Sequence, residues 1–274
     1  MFNVPSFFGF KGGAGFDPDA LAFFARVDAA TGVSDYLTST EKSAVNDLVI
    51  QMKSDGIWTK MKAIYPMVGG GNGTLVQNQA SCEQNLVSAS FTGAFTSGWT
   101  FASTGVTPNG TSAYMDTGLI PNNDLQLNDV HGSSYIRNNV VVDGPVFSSE
   151  NAGFSNGFYI WPRYSSSIYS IRANDDTSSQ GASSDSRGFW ILRRNSSTVK
   201  TLWRNSSQFG THNVNSTNLN TSSIYLGASR NNSNYSTFQN AFTSFGDGLT
   251  DTEASNFYTA VQAFQTTLSR AIAP

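Results

Sequence analysis

Apolar positions recur along this chain with two different periods, and the period changes twice. After Asp17-Pro18, Leu21, Phe24 and Val27 recur at helical spacing, and Gly32 stops the run. Asp before Pro is a strong helix start, because Asp caps the free N–H groups and Pro has its φ preset. Thr38-Ser-Thr-Glu41 is a capping box opening a second helix, with Val45, Leu48, Val49 and Met52 on its apolar face and Gly56 at its end. Ile57, Trp58, Met61, Ile64 and Tyr65 form a third short apolar element closed by Pro66, completing a small helical unit. Gly69-Gly70-Gly71 and Asn72-Gly73 then read as a linker.

From about residue 84 the period drops to two. Alternation predicts strands near 98–103, 111–117, 131–137, 144–149, 157–162, 167–172, 187–194, 198–204, 223–228 and 236–245. The runs at Trp99–Phe101 and Thr111–Met115 read as a hairpin turned by Pro108-Asn109-Gly110, since Asn-Gly supplies positive φ. Phe158, Ile160, Phe189, Ile191, Leu202 and Ile224 are assigned to inner faces. Thr250-Asp-Thr-Glu253 is another capping box, and Ala254, Phe257, Val261, Phe264 and Leu268 follow at helical spacing. The expected fold is mainly β with flanking helices. Residues 1–67 form an extended segment and helical unit, 68–83 a linker, 84–248 an antiparallel β-sandwich, and 249–274 a helix packed against the N-terminal helices.

Composition narrows the function classes. The chain has 274 residues, 39% hydrophobic and 13% aromatic, enough for a sizeable core. Charged residues are only 13%, about half the usual share, and Ser, Thr, Asn and Gly take their place. The formal net charge of −3 comes with no basic block, so nucleic acid is not an expected partner. No apolar run reaches the roughly 20 residues that span a membrane. The start, rich in Phe and Gly, lacks the basic n-region of a signal peptide. Phe2, Phe7, Phe8 and Phe10 make it a candidate assembly contact, either folded back on its own domain or docked into a neighbouring subunit. A lone Cys82 excludes an internal disulfide and argues against a thiolate metal cluster.

Catalytic signatures are absent from the pattern. Retaining glycosidases need two carboxyls about 5 Å apart. Glu150 is the only Glu between Glu83 and Glu253, and Asp143 is expected to lie too far along a strand to reach it. His131 and His212 have no ligand spacing, and there is no Gly-x-Ser-x-Gly elbow. No cofactor is expected beyond a calcium ion, for which Asp124, Asp129, Asp175 and Asp176 are the candidate ligands. Trp161, Arg163 and Tyr164 are the candidate carbohydrate-binding residues, an aromatic platform beside polar groups.

Three further stretches carry a resemblance. They are Ile57–Pro66 with Val68-Gly69-Gly70, Thr107–Tyr114 with Asp116-Thr117, and Gly246–Asp251 with Val261–Thr266. Together they resemble a group of tailed-phage and prophage structural proteins with a concanavalin-like, laminin-G-like jelly-roll domain. The resemblance implies a non-enzymatic virion protein on the particle surface, capsid or tail, homo-oligomeric and in contact with other virion proteins. Its alternative is a receptor-binding, lectin-like module for host-surface glycans. The resemblance brings no catalytic residues with it.

Overall fold

The computed structural model describes residues 15–150, 155–165, 167–229 and 234–273. The chain opens with α1 (Pro18–Thr31) and α2 (Ser39–Ser54), and a 3-10 turn at Trp58–Lys60 leads into β1 (Met61–Tyr65). Next come α3 (Leu75–Cys82), β2 (Ala94–Phe95), β3 (Trp99–Ala102), β4 (Gly105–Pro108) and β5 (Met115–Asp116). A single turn, α4 (Pro121–Asp124), precedes β6 (Val130–Ile136), β7 (Phe147–Ser149), β8 (Gly157–Tyr164) and β9 (Ile168–Asp175). After them run β10 (Ser179–Ala182), β11 (Gly188–Arg194), β12 (Val199–Arg204) and β13 (Ser207–Asn213). β14 (Tyr225–Leu226), β15 (Asn240–Gly246) and α5 (Asp251–Thr267) complete the series.

The strands form two antiparallel sheets. The first runs β13-β12-β11-β6-β15-β4-β3, with β1 also paired to β15. The second runs β10-β9-β8-β7-β14-β5-β2. The protein is therefore a β-sandwich with helices at its flank. No helix among the described residues is long and apolar enough to cross a membrane.

Local signals set the helices. Asp17 caps α1 by accepting from Asp19 N at 2.9 Å, and Gly32 ends it in the left-handed region at φ 68°. Thr38 with Glu41 and Thr250 with Glu253 form reciprocal capping boxes on α2 and α5. A third box, Thr74 with Gln77, opens α3 inside the stretch expected to be a linker. Ile57–Tyr65 also departs from its helical expectation. Only Trp58–Lys60 turns, and β1 then pairs with the late strand β15, Ile64 opposite Ser244. The edge of β15 offers that segment a hydrogen-bond ladder that a short helix would leave empty.

Two apolar layers hold the molecule together. One fills the sandwich, with Val106, Phe147, Phe158, Ile160, Ile171, Trp190, Leu192, Leu202 and Phe245. The other lies outside the first sheet, where Phe23, Val27, Leu48, Met52, Phe257, Val261 and Phe264 of the helices meet Tyr135, Phe189, Ile191 and Phe242. The first sheet is thus covered on both faces, and every residue of β6, β11 and β15 is buried. This corrects the assignment of Phe189 and Ile191 to the inside of the sandwich. They face the helices, and Trp190 and Leu192 point inward. Alternation tells the two faces apart only when one of them is wet. α5 does pack on the N-terminal helices, against α2.

The hairpin is also corrected. β3 pairs with β4, Trp99 opposite Pro108 and Ala102 opposite Gly105, so the chain reverses at Ser103-Thr104. The Asn109-Gly110 turn instead carries the chain to β5 in the other sheet. Asn109 Oδ1 holds it by accepting from the backbone N–H of Thr111, Ser112 and Ala113 at 3.0–3.1 Å.

Two buried polar side chains tie the layers. Arg270 is 1% exposed and donates to the carbonyls of Pro66, Met67 and Ala241 and to Gln265 Oε1. His131 is fully buried, with Nδ1 2.6 Å from the carbonyl of Asp247 and Nε2 3.2 Å from Ser244 Oγ. A carbonyl can only accept, so Nδ1 carries a proton. Burial pulls its pKa down to about 4. Between pH 6.5 and 4 the unfolded chain then binds a proton that the folded chain refuses, so stability falls as pH falls through that window. The loss attributable to His131 is roughly 3 kcal/mol over the whole range. Urea unfolding from pH 7 to 4.5 is expected to show this slope in the wild type and to lose it in His131→Asn.

Candidate functional site

The second sheet is covered on one face only, and its outer face carries a cleft of about 440 Å³. That volume is within the range of small-molecule sites, roughly 300–1,000 Å³. The register of the β8–β9–β10 strands builds it. Tyr159 lies opposite Arg172 and, on its other side, opposite Ser148 of β7. Trp161 lies opposite Ser170, which lies opposite Gln180. Two neighbouring rungs of the ladder therefore point outward together, because residues two apart on a strand share a face. Phe158, Ile160 and Ile171, between them in sequence, point into the core.

A bulge finishes the aromatic wall. The β8–β9 register shifts by one between Trp161 and Tyr164, where Pro162 interrupts the strand. The extra residue reverses the parity of the positions beyond it. Tyr164 joins Trp161 on the cleft side, ring centroids 5.2 Å apart and edge to face, and Tyr159 is 6.1 Å from Trp161 on the other side. Arg163 is turned off that wall. Its guanidinium donates to Asn139 Oδ1 at 2.8 Å and Ser167 Oγ at 3.1 Å. So two of the three expected sugar-binding residues line the cleft and the third does not.

The polar lining comes from residues that no sequence motif marks for this role. Tyr159 OH is 2.7 Å from Ser178 Oγ, and Gln180 Nε2 donates to Tyr164 OH at 2.5 Å. Arg172 lies over the Tyr159 ring, 5.7 Å from its centroid. The indole N–H of Trp161 and the Nε and Nη1 of Arg172 are shielded from water and have no hydrogen-bond acceptor among the described residues. Glu150, 2% exposed, accepts from Ser229 Oγ. Burial pushes its carboxyl above the ordinary range, and Ser229, Ser148 and Arg172 offset this in part. Asp143 stands on the exposed rim of the same cleft. Asp143 and Glu150 both line the cleft, the chain bending at Asp143-Gly144 before it enters β7.

The four calcium candidates are each engaged by protein groups. Asp124 accepts from Ile120 N at 2.8 Å, Asp129 from Gly248 N at 2.9 Å and Asp176 from Asn156 N at 2.5 Å. Asp175 is fully buried, 2.8 Å from Lys200 Nζ and 3.0 Å from Arg194 Nη2, and both cations are buried with it. Among the described residues no three His, Cys, Asp or Glu side chains gather as a metal site. His212 sits away from the cleft, 3.0 Å from Tyr169 OH. Phe2, Phe7, Phe8 and Phe10 lie outside the described residues.

No family model and no curated protein matches the sequence. Solved structures match it in shape. A mutant Trypanosoma rangeli sialidase displaying trans-sialidase activity superposes with TM-score 0.50 at 9% identity, over 83% of this chain and 39% of the sialidase. Domain 4 of AbnA, an extracellular arabinanase from Geobacillus stearothermophilus solved with arabinotriose, gives 0.49 at 10% identity, over 72% of this chain and 98% of that domain. A botulinum neurotoxin type C structure, described as depending on two ganglioside molecules for cell entry, gives 0.49 at 12% identity over 76% and 53%. The chain thus spans about two fifths of the sialidase and about half of the neurotoxin chain. At these identities the likeness to the sialidase bears on the fold, a β-sandwich.

Removing the Asp175 carboxylate leaves two buried cations without a counter-ion, a change that costs roughly 3–5 kcal/mol. Asp175→Asn is expected to lower the unfolding free energy by that amount in urea titrations, and Asp176→Asn to change it by less than about 1 kcal/mol.

Proposed function

We propose that this protein is a glycan-binding module that holds its ligand in the cleft on the outer face of the second sheet and does not cleave it. The observation that carries the reading is the aromatic wall of Tyr159, Trp161 and Tyr164 facing hydrogen-bonding groups across one small cleft. Sugars present C–H faces that stack on such rings and hydroxyls that need donors and acceptors. Trp161 supplies both, with a ring half open to solvent and an indole N–H lacking an acceptor among the described residues. Binding without turnover is favoured by the two carboxyls. Glu150 is buried and engaged by Ser229, and Asp143 stands in water at the rim. The sequence resemblance adds a setting, in which such a module displayed on a phage particle would hold it to a host surface. That setting rests on the sequence motifs alone.

A glycan array followed by calorimetry on the best saccharide tests the reading. Trp161→Ala and Tyr164→Ala are each expected to weaken binding tenfold or more, about 1.4 kcal/mol per factor of ten. Arg163→Ala, a change outside the aromatic wall, is expected to leave affinity within about twofold. Release of free sugar from the bound saccharide, or full affinity in Trp161→Ala, would overturn it.

A further inference from the structure

We propose that the cleft selects acidic saccharides, with the carboxylate of a sugar acid seated on the Arg172 guanidinium. The proposal rests on the glycan-binding reading above and adds the chemical class of ligand.

Arg172 is a placed side chain. Its stem lies in the space left by Gly157 on the neighbouring strand, where a Cβ would come within 2.6 Å of Arg172 Cδ. Its guanidinium rests on the Tyr159 ring. A guanidinium offers five N–H donors in a planar fork that matches a carboxylate edge. The Arg172 side chain makes no hydrogen bond to any described residue, although Nε and Nη1 are already shielded from water. The nearby Trp161 N–H is in the same position. Shielded donors without acceptors are costly, and a small rotation of the guanidinium toward an incoming group rich in acceptor oxygens would remove that cost.

The local field has the matching sign. Three residues along β9 from Arg172, Asp175 stands against two buried cations, Lys200 and Arg194, leaving one positive charge uncompensated. The strands are close enough for Arg172 to act electrostatically on Lys200. Glu150 and Asp143 line the same cleft. Arg172 acts electrostatically on Glu150, whose carboxyl burial nonetheless pushes up, and Asp143 is screened by water at the rim. Arg172 is the one cation among the described residues lining the cleft, and its planar fork matches the two coplanar oxygens of a carboxylate.

The test uses an array spanning neutral, carboxylated and sulfated saccharides, then calorimetry on the tightest binder and on the same saccharide with its carboxyls reduced to alcohols. Far-UV circular dichroism checks the folding of each variant. The expected result is a carboxylated binder whose affinity falls at least tenfold on carboxyl reduction. Arg172→Gln should fall by the same factor and no longer distinguish the two forms. Gly157→Ala keeps the charge but displaces the side chain, and should lose discrimination in the same direction. If the tightest binders are neutral or sulfated, if the reduced saccharide binds as well, or if folded Arg172→Gln or folded Gly157→Ala keeps the preference, the acidic-ligand inference fails and the glycan-binding reading stands. If no saccharide of any class binds the folded wild type, the glycan-binding reading fails and takes this inference with it.

Discussion

The central strands of the first sheet are buried on both faces, and the rest of the molecule is arranged around that constraint. Every residue of β6, β11 and β15 is buried. A sheet of this kind must be roofed twice. The second sheet makes one roof. α1, α2 and α5, drawn from opposite ends of the chain, make the other. The second sheet packs one face on the first and turns the other outward. The outward face lies away from the core, and the aromatic cleft lies there.

β9 joins the two roles. Ala173 and Asp175 point inward, and Arg172 points out to the cleft. Burying Lys200 and Arg194 against a single carboxylate is unfavourable on desolvation grounds, and burial pulls the Lys200 ammonium down to about 8. The geometry offsets the cost through many contacts. Lys200 also donates to Thr177 O at 2.8 Å, and Arg194 to Val214 O at 2.9 Å and Ala173 O at 2.5 Å. Asp175 accepts in addition from the N–H groups of Ala173 and Thr177 at 3.0–3.1 Å. The strand that supports the cleft is thus pinned from beneath at its far end.

How much could be read in the sequence depends on how local each signal is. The caps of α1, α2 and α5 lie within four residues of the groups they satisfy, so they were legible. Thr74-x-x-Gln77 is as local, but a glycine run immediately before it hid α3. β1 was missed because its partner, β15, lies about 180 positions later. The faces of β11 could not be told apart, since both are dry. In the cleft, Trp161 and Tyr164 stood out as aromatic residues near a proline. Arg163 looked equivalent until the bulge turned it away. Arg172 and Gln180 arrive by cross-strand register, and Glu150 by a bend, so no spacing in sequence announces them. Once Trp161 is known to face outward, the β8–β9 hairpin puts Tyr159, Ser170 and Arg172 beside it.

The pairing of β1 with β15 and the grip of Arg270 on Pro66 and Met67 set an order of events at the ribosome. α1, α2 and β1 emerge before residues 240–270, with their apolar faces bare. The strand that receives β1, the helix that packs on α2 and the arginine that locks the junction all belong to residues 240–270. Closing so long a loop is slow and leaves apolar surface open in the meantime. These elements are therefore sheltered late, and a chain halted before residue 240 would carry that surface uncovered.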